Sequence, residues 1–217
     1  MCSTNYKGGL LMDTPNKKNY HHGDLRKTLI HVGIELISES GASSLDLRKV
    51  ARIAGVSHAA PYRHFADKKA LIAAISEEGF NLLAIEMEQA ISMKANSAHE
   101  QLRGMGHAYV QFAITNPSLV REMFSGLTIE REAYPSLYDI SKKLFNMIET
   151  VVIIGQEKGN IKKSDSNELT CAIWSMMHGT AILIIENQLK PVTMQINGIE
   201  HITQVCMDSL ILGLGAS

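Results

Sequence analysis

The stretch Leu45–Leu71, LDLRKVARIAGVSHAAPYRHFADKKAL, decides the fold. Leu47, Val50, Ala51 and Ala54 recur at three- and four-residue spacing and so share one face of a helix. Gly55 tolerates the positive φ that ends such a helix. Val56 fills the corner, and Ser57 is a suitable N-cap for a second helix. Two helices broken by a short Gly-containing turn form a helix-turn-helix, whose second helix enters the DNA major groove. Pro61 limits that second helix. With Ser57 as cap, Pro61 takes the fourth helical position and removes the first N–H that would bond within the helix; otherwise the cap is His58. The recognition helix is therefore expected to be short, because a proline deeper inside would cost about 3 kcal/mol.

Outward from this stretch the pattern stays helical. A first helix is expected from about Gly23 to Ser40, stopped by Gly41, with Leu25, Leu29, Val32, Leu36 and Ile37 as its buried stripe. Asp67 caps a long helix running to about Lys94, whose apolar face is Leu71, Ile75, Leu82, Ile85 and Met87. Further helices fit Ala98–Thr115, Pro117–Phe124 closed by Gly126, Pro135 to about Lys158, Asp165–Leu189 and Gly198–Leu212. No stretch reads as a strand, so the fold class is all-α. Residues 1–19 form a flexible N-terminal arm, with a disordered tail weighed against Lys17, Lys18 and Lys7 reaching DNA. Residues 20–70 form the helix-turn-helix unit, and 71–217 a larger helical domain.

Charge divides the same way. Residues 1–70 hold 11 Lys and Arg against 6 Asp and Glu, while residues 71–217 hold 10 against 16. A basic first third suits contact with phosphates, and an acidic remainder faces away. No window approaches 18 consecutive apolar residues, so a membrane span is not expected. The N-terminus lacks the apolar core of a secretory signal. Three cysteines without a CxxC argue for reduced thiols and a cytoplasmic location.

Leu45, Arg48, Val50-Ala51, Ala54-Gly55-Val56-Ser57, Tyr62, His64-Phe65, Lys68 and Ala70-Leu71 resemble the DNA-binding domain of TetR-family transcriptional repressors. The likeness runs from Tyr20 to about Leu71, roughly a quarter of the chain. It departs at Ala59-Ala60-Pro61, where the family often has a Gly-Thr-Leu-like run. Trp174-Ser175-Met176-Met177-His178-Gly179 is similar to a Trp…His-Gly signature of one TetR C-terminal subfamily. Arg121–Gly126 and Tyr134–Tyr138 look like that subfamily as well. The resemblance implies a three-helix helix-turn-helix DNA-binding domain, a connecting helix, and a C-terminal helical domain for ligand binding and dimerisation. It also implies a dimeric repressor on a palindromic operator, released when a small-molecule effector tilts the connecting helix.

The DNA-binding candidates follow from position and chemistry. Arg48 lies in the first turn of the motif's first helix, where the resembling family often places a DNA-contacting residue, and an Arg–guanine pair discriminates by about 1–3 kcal/mol. Its alternative is a surface ion pair with Asp24 or Asp46. Ser57, His58, Ala59 and Ala60 open the recognition helix; the two alanines can offer only methyl contacts. Arg63 can reach a base or a phosphate. Ser44, at a helix N-terminus, with Tyr62, His64 and Lys68, are the phosphate candidates. Phe65 is assigned to the core.

In the second domain Met105, His107, Tyr109, Phe112, Met123, Phe124, Trp174, Met177 and His178 are the ligand-binding candidates, an apolar set with a few polar handles. An ordinary helical core is the competing reading. Trp174 and His178, four apart, share a face and either line a pocket or seal the core with a hydrogen bond. Ile173, Met177, Thr180 and Ile184, then Ile199, Ile202, Cys206 and Leu210, form stripes broad enough for a dimeric four-helix bundle. No HExxH, CxxC, Walker or GxSxG pattern is present, so no enzyme, cofactor or metal site is expected. The alternatives are a metal- or ligand-sensing activator, with Cys171 and His178 as first metal ligands, or an α-helical enzyme. The expected partners are an operator duplex, a small-molecule effector and a second copy of the chain, with no membrane.

Overall fold

A computed structural model describes residues 25–93, 97–126, 132–195 and 197–214. The arm at 1–19 and the start of the first helix at Gly23 lie outside the described residues. Within them the fold is all-α, with no β-strand. Helices α1 (Leu25–Ser40) and α2 (Leu47–Ile53) are followed by the long α3 (Lys68–Met93). After it come α4 (Ala98–Thr115), α5 (Pro117–Gly126), α6 (Pro135–Glu157), α7 (Ser166–Ile185), the short α8 (Lys190–Thr193) and α9 (Gly198–Leu214).

The boundaries have local causes. The Asp67 carboxylate accepts the Ala70 N–H at 2.8 Å, and Asp165 accepts that of Glu168 at 3.0 Å, so both act as N-caps. Pro117 and Pro135 open their helices, where a missing N–H costs nothing. Gly55 stands at φ 70°, and the Val56 N–H reaches back to the Ala51 carbonyl at 3.0 Å. This is a Schellman closure of α2. Asn187, at φ 57°, closes α7 the same way, with the Gln188 N–H on the Leu183 carbonyl at 2.9 Å. The helix ends there, four residues before the expected Leu189.

Three expectations are corrected. The second helix of the motif is not an α-helix: residues 58–59 form a turn, residue 60 a bend, and Pro61–Arg63 a single 3-10 turn. The Ala60, Arg63 and His64 N–H groups bond three residues back, to Ser57, Ala60 and Pro61. Pro61 has no N–H for a four-residue ladder, and the chain tightens to the three-residue one. Neither Ser57 nor His58 therefore caps a helix. Ser44 is not at the N-terminus of α2, because that position belongs to Asp46, whose carboxylate accepts the Arg48 and Lys49 N–H groups at 2.7 and 3.2 Å. The Ser44 hydroxyl instead donates to the Gly41 carbonyl at 2.7 Å. Ile85 lies outside the apolar face of α3 and is 50% exposed, while the unsuspected Phe80 is buried on it.

The long α3 joins two bodies. Its first turns pack on α1 with Leu71 and Ile75 buried; further along it packs on α4, α5 and α6. Helix α4 is the centre of the second body and touches α3, α5, α6, α7 and α9. Its Leu102, Met105, Tyr109, Val110, Phe112 and Ala113 are all buried. Helix α7 is long and apolar enough to cross a membrane by length and composition alone, a property that core helices of folded domains share. One of its faces, through Ile173, Met177 and Ala181, fills the core.

Close helix approach sets one testable constraint. A Cβ at Gly155 of α6 would stand 2.8 Å from the Ala98 Cβ and 2.6 Å from Ile161 Cδ1. Ala98 has no side-chain torsion with which to retreat. Gly155→Ala should therefore destabilise the fold by about 1–3 kcal/mol through overpacking, although alanine alone favours a helix by about 1 kcal/mol. Thermal denaturation checks this; an unchanged or raised midpoint would refute the close packing of α4 on α6.

Candidate DNA interface and effector site

The helix-turn-helix places its candidates on one outward edge. Arg48, Ser57, His58, Ala59, Tyr62, Arg63, His64 and Lys68 are exposed, and Ala60 is half-buried. Beneath them Val50, Ala51 and Phe65 anchor the motif in the core. The His64 and Phe65 N–H groups both donate to the Pro61 carbonyl at 2.9 Å, so the compact turn leads straight into that anchor. Among the described residues Arg48 and Arg63 form no ion pair, and the Arg48 guanidinium does not close onto Asp46. The Lys68 ammonium donates to the Ala42 carbonyl at 3.2 Å. That bond ties the start of α3 to the α1–α2 connection and leaves two of the lysine's three donors. Ser44 is half-buried and faces inward. Ile53, 49% exposed on the same helix as Arg48, was not singled out by the sequence.

The second set divides by helix geometry. Tyr109, Phe124, Trp174 and His178 meet as one aromatic cluster. The Tyr109 hydroxyl and His178 Nδ1 share a hydrogen bond of 2.8 Å. The Trp174 and His178 rings are parallel within 6°, their centroids 6.2 Å apart, on the face that four-residue spacing on α7 gives them. The Phe124 centroid lies 4.2 Å from that of His178, and Tyr109 meets Trp174 edge-on at 5.5 Å. Met105, Phe112, Met123 and Met177 are buried around this cluster's helices with at most 2% exposure. His107 is elsewhere. It lies two residues from Tyr109, hence on the other side of α4, in the field of Glu200 and Asp208 of α9. There Arg103 Nε donates to the Asp208 carboxylate at 2.6 Å.

Burial sets the protonation of this site. Desolvation pushes the Tyr109 phenol far above its ordinary value and lowers the His178 imidazole below 6.5. Both are neutral at pH 7, and the phenol donates to Nδ1 when the ring proton sits on Nε2. Cys171 is exposed, with its sulfur 3.9 Å from Asn167 Oδ1. Among the described residues no three His, Cys, Asp or Glu groups converge as metal ligands.

Helix α5 connects the cluster to α3. Phe124 packs edge-on against Phe80 of α3, centroids 5.4 Å apart, while its other side meets His178. The fully buried Ser76 hydroxyl donates to the Glu122 carbonyl at 3.1 Å. Met123 lies against the bare backbone of Gly79. Arg121 Nε donates to Glu186 at 2.7 Å and Nη2 to the Ile185 carbonyl at 3.2 Å, closing the end of α7. Helix α1 of the reader also packs on α5. Sequence reasoning missed Ser76 and Phe80, since a serine and a phenylalanine on a long apolar helix carry no distinguishing pattern.

A helix-turn-helix edge carried on a larger helical body is the arrangement of bacterial regulatory proteins of the tetR family. The chain belongs to the TetR family: residues 29–75 match the family model for bacterial regulatory proteins of the tetR family, and residues 102–204 match a tetracyclin repressor-like C-terminal domain. It is 31% identical over 136 residues to the nucleoid occlusion factor SlmA of Vibrio vulnificus, covering 62% of this chain and 66% of that protein, just under two thirds of its length. A Rhodococcus sp. RHA1 protein of unknown function has a similar structure, with TM-score 0.80 and 29% identity over 92% of this chain and all of that one. The transcriptional regulator FadR of Bacillus subtilis, in complex with stearoyl-CoA, shares the fold with TM-score 0.70 and 19% identity, covering 87% of this chain and 99% of that one.

The lowered imidazole gives a pH dependence of definite sign. Unfolded, His178 takes up a proton near pH 6.5; folded, it resists protonation to lower pH. Stability is therefore full above about 6.5 and falls as pH drops toward the lowered value. His107 contributes with the same sign. Thermal midpoints measured from pH 7.5 to 5 should decline, and His178→Phe should flatten part of that decline. An unaltered slope in the variant would refute the buried, neutral imidazole.

Proposed function

We propose that the protein is a homodimeric repressor that binds an inverted-repeat operator in the cytoplasm and leaves it when a small-molecule effector enters the second domain. No catalysis belongs to this reading. The observation that carries it is the separation of two surfaces: an exposed basic reader edge at one end, and unpartnered apolar residues on α7 and α9 at the other. Leu183, Val205 and Leu212 are 38, 42 and 82% exposed. Met176, Ile182 and Ile202 stand half-buried beside them. Side chains of this kind on two adjacent helices suit a four-helix bundle with a second copy. A two-fold axis would set two readers about one DNA turn apart, roughly 34–36 Å.

In this reading Arg48 contacts a base, and His58, Ala59, Ala60 and Arg63 meet the groove. Ser57, Tyr62, His64 and Lys68 fix the register on phosphates. Ser44 supports the backbone from within. The effector site centres on Tyr109, Phe124, Trp174 and His178, with Met105, Phe112, Met123 and Met177 as its apolar surround; His107 belongs to the α4–α9 contact. An effector there displaces Phe124, and α5 carries that movement to Phe80, Gly79 and Ser76 of α3 and to α1. A shift of this kind requires that the effector bind the two arrangements with different affinity, and a coupling of about 1–3 kcal/mol is ordinary.

Titration against a duplex from upstream of the protein's own gene, with a random duplex as control and at two salt concentrations, tests the reading. Arg48→Ala should weaken specific binding by about 1–3 kcal/mol and leave random binding nearly unchanged. Equal losses on both duplexes would remove Arg48 from base contact. Val205→Glu combined with Leu212→Glu should turn the dimer into a monomer in sedimentation velocity, with its helical content intact. A dimer that persists in the double variant would place the interface elsewhere.

A further inference from the structure

A cleft of about 180 Å³ opens between the reader and the second body, apart from the aromatic cluster. Arg26 of α1 with His64 and Phe65 forms its reader side, Ala73 and Ala74 of α3 lie along it, and the first turn of α6 closes the far side. The polar groups around it are not equivalent. Glu77 is already engaged, since the Ser136 hydroxyl donates to its carboxylate at 2.9 Å. The side chains of Arg26 and His64 make no hydrogen bond or ion pair among the described residues. The Arg26 guanidinium stands over the Phe65 ring, 5.7 Å from its centroid, and both residues line the cleft.

We propose that this cleft is a second small-molecule site, for a monocarboxylate with a compact apolar body. The carboxylate meets Arg26, whose planar fork pairs with it bidentately, and His64 stands beside it. The apolar body lies against Phe65 and the methyl groups of Ala73 and Ala74. These apolar surfaces disfavour a bare inorganic anion, which would lose water there without replacement. The cleft is smaller than the ~300–1,000 Å³ of pockets for drug-sized ligands, so the occupant is of benzoate size. Arg26 and His64 belong to the reader and α6 to the second body, so an occupant touches both and is sensitive to their relative placement.

Full-length protein labelled with ¹³C at alanine methyl groups, titrated with benzoate and with the neutral isostere benzamide, tests the site. Trp174, the only tryptophan, reports in parallel on the aromatic cluster by fluorescence. Benzoate should shift the Ala73 and Ala74 methyl signals saturably, without changing Trp174 emission. Benzamide should bind at least about tenfold more weakly, as should benzoate to Arg26→Gln, because each removes one charge of the pair. Arg26 is exposed, so an unchanged thermal midpoint should accompany the variant; His64→Gln, also on the surface, should weaken benzoate as well. Absence of saturable alanine shifts, equal binding of benzamide, or full affinity in Arg26→Gln would overturn the proposal. A response confined to Trp174 would overturn it too, by placing the ligand in the aromatic cluster.

Discussion

The seating of α5 on α3 is the contact on which the arrangement of the other helices depends. Ser76 is wholly buried, and its hydroxyl has to find an acceptor; the Glu122 carbonyl supplies one. Such a bond contributes about 0.5–1.5 kcal/mol net, but an unsatisfied hydroxyl in the same place costs about 1–3 kcal/mol. The bond therefore acts mainly against any sliding of α5 that would leave Ser76 without a partner. Gly79 next to it allows Met123 closer than any other residue would. With α5 fixed in this way, Phe124 is held between Phe80 and His178, and Arg121 reaches the end of α7. One ten-residue helix thus sets the distance between the aromatic cluster and the helix that carries the reader.

Much of this architecture is legible in the sequence because punctuation and periodicity coincide. Asp67, Asp165, Pro117 and Pro135 mark helix starts by capping chemistry that operates locally, and the helix Ala98–Thr115 falls on its expected bounds. Gly55 and Gly41 mark ends where the backbone needs positive φ. The failures lie where local rules compete. Around Pro61 the loss of one donor converts an expected α-helix into a 3-10 turn, and a propensity argument cannot tell how far the tightening extends. At Asp46 and Ser44 two residues were suited to the same capping role, and the carboxylate took it. Ile85 fits the helical period of α3 but lies on a side of the helix that the described residues leave half exposed.

The site was legible in composition and less so in grouping. Tyr109, Trp174 and His178 converge because α4 and α7 pack together, and spacing within α7 predicts that Trp174 and His178 share a face. Phe124 joins them only through the seating of α5, which depends on Ser76 and Gly79 from another helix. His107 resembles Tyr109 as a polar group on the same helix, yet two residues of separation turn it toward α9. Pairing across helices is a tertiary outcome, and a single sequence does not specify it.

The packing of the cluster constrains any effector that the proposed reading admits. Tyr109 is almost wholly buried and hydrogen-bonded to His178, and Phe124 rests against the same imidazole. An entering ligand must either preserve the Tyr109–His178 bond or replace it on both sides, since a phenol or imidazole left unpaired costs about 1–3 kcal/mol. Displacing Phe124 gives up three aromatic contacts, with Phe80, Trp174 and His178, each worth about 0.5–1.5 kcal/mol beyond buried area. An apolar ligand in its place restores them, whereas the Tyr109–His178 bond needs a matched donor and acceptor. Phe124 is therefore the cheaper group to move and Tyr109 the fixed one. Because Phe124 also touches Phe80, the least costly way into the cluster is the one that disturbs α3, and in the proposed reading effector binding and release from DNA are coupled through that side chain.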